Sequence, residues 1–549
     1  MTTLPNGLSP TAGYHNPFVD GTAYLFGVGE RPRTLCELAM TRLSAELRSK
    51  RGWWLVFDDP ATRQRWYEEA ANKTWRVGPM PNNIEVGLAK HQIEYVLDEL
   101  VGYAIFREEA NEAQVSCFDR IWETDRLLNN VEDEMLQECL DSLHVLIRSS
   151  TFASNSDVLI DPLRYSCIFG RTFLRNQTDC PNDHNDYCTS LKFTALPAVV
   201  RIHADNSCVE YQSTINGVDP CRSEIYEALQ RTLGRCINLF EKVLTSLHRS
   251  NPLPQRIRGS YRYRVWEEPD PPEESDDEEA WEQHLRDVRQ WALYRPIEIP
   301  DIPPEGYRNE FLRLGHKVHL RDRHIQVIHR IVDAYLDDGR QMIADTPWHI
   351  AGMKNEHIVA SALHFVSVQG IYDGRLDFRM AVTSPSNFMP HDVGATLRTW
   401  GLQSGDPCNQ FIGSVPLRTG LTIAFPNIYQ HRMRDIQLGE GCSNGRLAIV
   451  EFYLVDPDVP PIISTADVAP QQRDLIYRAL ANSIDPRLPP EVLEKIVDMV
   501  ESVLFEEEAV RYHEEMLKER QNFMRVNDEK YFSLPFDMDA IDQIQELAL

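Results

Sequence analysis

Three side chains in the C-terminal half carry the strongest chemical signal: His349, His431 and Arg446. The first lies in Trp348-His349-Ile350-Ala351-Gly352. A strand repeats every two residues, so positions 349 and 351 point the same way. A His-x-carboxylate pair on such a strand offers two metal ligands. A histidine from a later strand then completes a facial triad and leaves positions of a non-haem iron open for oxygen and a co-substrate. The later histidine ends the segment Phe425-Pro426-Asn427-Ile428-Tyr429-Gln430-His431. Arg446 follows 15 residues on and opens the run Leu447-Ala448-Ile449-Val450-Glu451-Phe452. An arginine opening a buried strand can clamp a dicarboxylate through two parallel hydrogen bonds.

The elements that must position these residues are short. Between Trp348 and Val455, apolar runs such as Ile358–Val368, Leu376–Val382, Leu421–Phe425 and Leu447–Val455 are broken by Gly, Pro, Asn and Asp. That spacing suits a β-sandwich or jelly roll. Helical periodicity precedes it at Leu35–Leu47, Ile84–Phe106, Val131–Ile147 and Glu224–Leu247, and a short helix is expected over Gln326–Leu336. Residues 192–215 read as strands. After Pro470 the chain returns to helix, and residues 489–520 form an amphipathic stretch that packs on the barrel or makes a homodimer contact. The fold class expected is α+β, a double-stranded β-helix (jelly-roll, cupin-like) core wrapped by helices. Its parts are a helical and mixed region over 1–265, an acidic insertion over 266–295, the core over 296–470 and a helical tail over 471–549. The acidic run Glu267–Asp287 has too little apolar surface to order itself by burial.

These segments resemble a large fungal family first described only as a domain of unknown function and now grouped with the Fe(II)/2-oxoglutarate-dependent oxygenases. Trp348 to Ile358 is similar to the family's Trp-His-Val-Glu-Gly…Asn-Glu segment. Phe425–His431 is similar to its Phe-Pro-Asn-x-x-Gln-His, and Phe452-Tyr453-Leu454-Val455-Asp456-Pro457 to its Phe-Leu-Val-Asp-Pro. Leu35–Met40, Asp161–Arg171 and Ser213–Pro220 extend the resemblance through the N-terminal half. The resemblance implies a jelly-roll fold, Fe(II) on His349 and His431, and 2-oxoglutarate as a co-substrate held by Arg446. It also implies oxidation of an aliphatic C–H bond of a small metabolite, an amino acid among the candidates, in fungal secondary metabolism.

One position departs from the pattern. Where the family carries Glu, this chain has Ala351, and an alanine ligates nothing. Three readings stay open. The vacancy admits chloride, as in a two-histidine iron halogenase. Another carboxylate substitutes, from Glu356, Asp345 or Asp392 beside His391. Or catalysis is lost and the chain is a binding or scaffold protein on a retained fold. His357, His364 and His391 are expected in the core or at the rim.

Cys180, His184 and Cys188 stand close enough in sequence to hold zinc, but no fourth ligand is evident, and a polar surface loop is the ordinary reading. There is no Gly-x-Ser-x-Gly elbow, P-loop or dinucleotide fingerprint, which lowers the hydrolase, NTPase and dehydrogenase classes.

The composition is that of a folded protein, 42% apolar and 25% charged over 549 residues. A net charge of −27 with no evident basic stripe argues against nucleic acid or an anionic membrane as partner and leaves a small-molecule substrate. The N-terminus does not read as a secretory signal, and no apolar run is long enough for a membrane span, so a cytoplasmic location is expected. The 11 cysteines, an odd number and scattered, suit reduced thiols.

Overall fold

A computed structural model describes residues 13–18, 29–78, 84–107, 112–148, 157–175, 187–204, 208–264, 267–272, 278–308, 315–385, 392–483 and 488–537. Helices and antiparallel sheets are mixed along the chain. The helix Leu35–Arg48 starts where Thr34 Oγ1 accepts the Glu37 amide at 3.1 Å, and it buries Leu35, Leu38, Leu43 and Leu47. The 25-residue helix Ser223–Leu247 buries Leu229, Leu233, Cys236, Leu239, Val243 and Leu247, the face its periodicity predicts. The stretch from Ile84 is not helical throughout. Ile84–Gly87 is a strand, and the helix runs over Lys90–Phe106. Within the acidic region, Glu278–Tyr294 is helical although it buries no residue. It lies close against the helix Val393–Trp400, where a Cβ on Gly394 would stand 2.3 Å from the Leu293 carbonyl.

Seven strands build the core: β1 (His324–Leu336), β2 (Ile358–Gln369), β3 (Arg375–Ala381), β4 (Asn409–Pro416), β5 (Thr422–Pro426), β6 (Tyr429–Arg434) and β7 (Gly445–Val455). β1 corrects an expectation, because Gln326–Leu336 is strand and not helix. The physical reason is burial on both faces. Ile325, Val327, Ile328 and Ile331 are all buried, so the apolar residues come in runs that imitate a helical period. Their β-branched side chains favour the extended form.

The large sheet runs in the order Gln114–Val115, Trp122–Thr124, β5, β2, β7, β1, Ala198–Ile202, Val209–Tyr211, and Val158–Ile160 also pairs with β1. The small sheet runs β4, β3, β6. An antiparallel bridge between His349 and His431 continues it past β6. The two sheets pack face to face, with Phe378 of β3 against Phe425 of β5, ring centroids 5.0 Å apart. The C-terminal stretch is two helices, Pro490–Asp498 and Glu506–Asn527. No helix among the described residues is long and apolar enough to cross a membrane.

The outer face of the large sheet carries two buried histidines. His329 Nε2 meets the Tyr211 hydroxyl at 2.6 Å, and His364 Nδ1 meets Thr422 Oγ1 at 2.7 Å. Desolvation pushes His329 down to about 3 and His364 down to about 4 from the usual 6.5. The unfolded chain therefore binds these protons more readily than the folded one. Their contribution to stability is full above pH 6.5 and is lost as the pH falls through 4 and then 3. Urea midpoints measured at falling pH should drop in that window by a few kcal/mol equivalent. His364→Asn should make the drop shallower, and an unchanged midpoint from neutral pH to about 4 would contradict the linkage.

Candidate active site

His349 and His431 come together. Each backbone amide donates to the other's carbonyl, His349 N to His431 O at 3.2 Å and His431 N to His349 O at 3.0 Å. A directly opposed pair shares one face, and the imidazole centroids lie 4.3 Å apart. His431 is in register with Phe378 on β3, and that side chain reaches the large sheet, so both histidines face the interior. The Phe425 ring stands 4.8 Å from His431.

Nδ1 of His349 lies 2.8 Å from the Pro347 carbonyl. A carbonyl only accepts, so Nδ1 carries the hydrogen and Nε2 keeps its lone pair for a ligand. Among the described residues, Nδ1 of His431 is buried without a hydrogen-bond partner. Burial lowers both pKa values, and for His431 the neighbouring His349 and Arg330 push in the same direction. Neutral imidazoles are the form a metal takes up.

The charged and polar side chains on the inner face near the histidines were not foreseen from the sequence. Register places Arg330 of β1 opposite Glu451 of β7, and Ser361 of β2 opposite both Tyr453 of β7 and Phe425 of β5. These side chains share the inner face. The Arg330 guanidinium donates to Glu451, and the Tyr453 hydroxyl donates to the other oxygen of the same carboxylate. Glu451 and Arg330 are near enough to act on His349, the acid raising its pKa and the base lowering it. Burial holds the Tyr453 phenol well above its usual range, and Glu451 adds to the effect. The available signal was charge inside each apolar run, Arg330 and Asp333 in one and Glu451 in the other, because a charge there must be paired.

Position 351 is buried and filled by backbone contacts. The Ala351 amide donates to Asn427 Oδ1 at 2.8 Å, and Asn427 Nδ2 donates to the carbonyls of Ala351 at 2.8 Å and Ile358 at 3.0 Å. Asn427 thus ties the His349 segment to β5 and β2. Glu356 does not turn to the histidines. It accepts from the amides of Ala195 and Met353 at 2.8 and 2.9 Å and from Arg520. Asp345 accepts the Asp435 amide at 3.0 Å, and Asp392 caps the helix Val393–Trp400 and pairs with Arg295. Among the described residues no three His, Cys, Asp or Glu side chains converge on a metal position. His391, Cys180 and His184 lie outside the described residues. Cys188 is buried and in no disulfide, His364 is core and His357 is exposed.

Arg446 is not brought to the histidine pair. It stands opposite Tyr335 in the β1–β7 register, five residues from Glu451 and so on the other face of the sheet. There its Nε and Nη2 donate to both oxygens of Asp333 at 2.9 and 2.6 Å, and Nη1 reaches Gln137 at 3.2 Å. His144 meets the same carboxylate at 2.8 Å. Gln137 and His144 belong to the helix Asn130–Arg148, which covers this face.

No curated protein matches the chain. Among solved structures, AviO1 from Streptomyces viridochromogenes Tue57 aligns over 63% of this chain and 93% of its own, at 11% identity and a TM-score of 0.22. An Fe(II)/(alpha)ketoglutarate-dependent dioxygenase, TqaL, aligns over 63% and 94% at 8% identity and a TM-score of 0.24. The oxalate decarboxylase of Lactobacillus farciminis covers 31% of this chain and 34% of its own at 10% identity, with a TM-score of 0.13. The sequence match is broader: residues 90–479 fit the family described as protein of unknown function (DUF4246), and the chain belongs to that family.

Proposed function

We propose that this chain is a non-haem iron enzyme of the Fe(II)/2-oxoglutarate-dependent type, with His349 and His431 as the protein ligands of the metal. One observation carries the reading: the imidazoles of His431 on β6 and of His349, bridged to it, lie 4.3 Å apart on the inner face, with a buried nitrogen on His431 that has no hydrogen-bond partner among the described residues. The donor set fits a soft-to-borderline divalent ion of the iron group. The strand order supports a jelly-roll reading, since β1, β7, β2 and β5 lie side by side in one sheet and the His349 segment, β6, β3 and β4 face them in the other. When bound, iron would supply oxygen activation for attack on an aliphatic C–H bond.

The protein's own contribution is to hold the ligands neutral and to keep water away. Phe378 and Phe425 line the approach to His431. 2-Oxoglutarate does not fit through Arg446, which Asp333 occupies on the other side of the sheet. A dicarboxylate entering the pocket would meet Arg330. The proposal extends to a cytoplasmic enzyme of fungal secondary metabolism acting on a small metabolite, an amino acid by the family resemblance. A second reading, a non-catalytic binding protein on the same fold, is favoured by two features: Ala351 and the sequestered Arg446.

Anaerobic Fe(II) with 2-oxoglutarate separates the two readings. The enzyme should develop a visible metal-to-ligand charge-transfer band that His349→Ala abolishes. If the chain takes up no iron and shows no band, the oxygenase reading is lost and the binding-protein reading remains.

A further inference from the structure

A cavity of about 780 Å³ opens where the helix Leu35–Arg48, the strands Gln114–Val115 and Trp122–Thr124, and the strands β3 and β4 meet. None of the residues assigned to the histidine pocket lines it. Seven basic and four acidic side chains do. A local surplus of positive charge is unexpected in a chain of net charge −27.

The acids are already engaged. Glu46 accepts from Lys73 at 2.7 Å, Glu112 pairs with Arg126 at 2.8 Å, and Asp125 pairs with Arg418 at 2.6 Å. Glu123 accepts the Ser116 hydroxyl at 2.5 Å and the Gln114 amide at 3.2 Å. The bases are not all matched. Arg42 is half-buried and lies over the Phe411 ring at 5.1 Å, and among the described residues it has neither an ion pair nor a hydrogen bond. Burial lowers its pKa, and the fields of Glu46 and Asp377 reach it without a contact. Arg375 donates Nε to Ser414 at 2.8 Å and Nη1 to Asp373 at 3.4 Å, an acid that is itself mostly exposed. Arg51 stands exposed at the rim, and no ion pair holds it among the described residues.

We propose that this cavity binds a small molecule carrying a phosphate group, with Arg42 and Arg375 on the phosphate and Arg51 at the entrance. A half-buried guanidinium without an ion pair, as at Arg42, is stabilised by a ligand that supplies the opposite charge. A planar carboxylate is satisfied by one guanidinium fork, whereas donors on separate elements lining one cavity suit a tetrahedral oxyanion. The volume exceeds what phosphate needs and falls in the range of sites for organic ligands. Phe411 and Trp54 supply apolar wall for the remainder of the molecule.

The probe is inorganic pyrophosphate, titrated calorimetrically into the full chain at low ionic strength. Saturable one-site binding is expected. Arg42→Gln and Arg375→Gln should each weaken it about tenfold or more, and Arg51→Gln about threefold. Arg525→Gln, an exposed arginine paired with Glu529, should leave it unchanged. Thermal melting shows whether each variant is folded, and the exposed Arg51 gives a reading that does not depend on buried positions. No saturable binding, or equal affinity in folded Arg42→Gln and Arg51→Gln chains, overturns the site. Citrate bound as tightly as pyrophosphate, with the same dependence on Arg42, overturns the assignment to phosphate.

Discussion

An Asp333→Ala chain should lose about 3 kcal/mol of stability, measured as a fall in the urea midpoint. The carboxylate side chain is fully buried and accepts both donors of the Arg446 fork, with His144 on the same oxygen as Nη2. Removing it leaves a guanidinium only 20% exposed with Gln137 alone as its partner. A buried charge stripped of its counter-ion costs more than the pair itself contributes. Asp333→Asn keeps the shape and one acceptor, so a smaller loss is expected. The measurement also bears on function. If Arg446 is a structural residue that fastens the helix Asn130–Arg148 to the sheet, the Asp333→Ala chain is destabilised while Fe(II) binding by the folded fraction is unchanged. A loss below about 1 kcal/mol would mean that the pair contributes no more than a surface bridge.

The second large effect concerns the vacancy beside the histidines. Ala351→Glu should tighten Fe(II) binding about tenfold or more, about 1.4 kcal/mol, read by anaerobic titration. Ala351 packs in one cluster with Ile328 and with Tyr453 of the inner face. A carboxylate there would supply a third protein ligand that no described acid provides. Neighbouring Ala195, Ile328 and Ile358 close around position 351, so some loss of stability accompanies the longer side chain. Unchanged affinity in a folded Ala351→Glu chain would count against His349 and His431 as an iron site. A gain confined to Ala351→Glu and absent from Ala351→Gln would tie the effect to charge.

The same residues show how far a sequence can be read. The helix face at Glu224–Leu247 was legible because one side is buried and the other largely wet, which leaves a clean period, whereas Leu35–Leu47 kept its period although only Glu46 is exposed there. β1 was misread because both its faces are buried and the period disappears. The pairing of His349 with His431 was legible from motif and strand context. The Arg330–Glu451–Tyr453 wall was visible only as charges within apolar runs, with nothing to say which of them meet.

His349, His431 and Arg446 were the starting residues, and they divide along the same line. Sequence alone determined that each lies on or beside a strand and that 351 has no carboxylate; the two-residue period does not carry from 349 to 351, because Ala351 sits in a bend after an isolated bridge. Which face looks inward is a different matter. It depends on the register of β7 against β1 and of β6 against β3, set by strands far apart in the chain. Only the tertiary structure decided that the histidines turn to the interior with Arg330 and Glu451, while Arg446 turns outward to Asp333 beneath a helix.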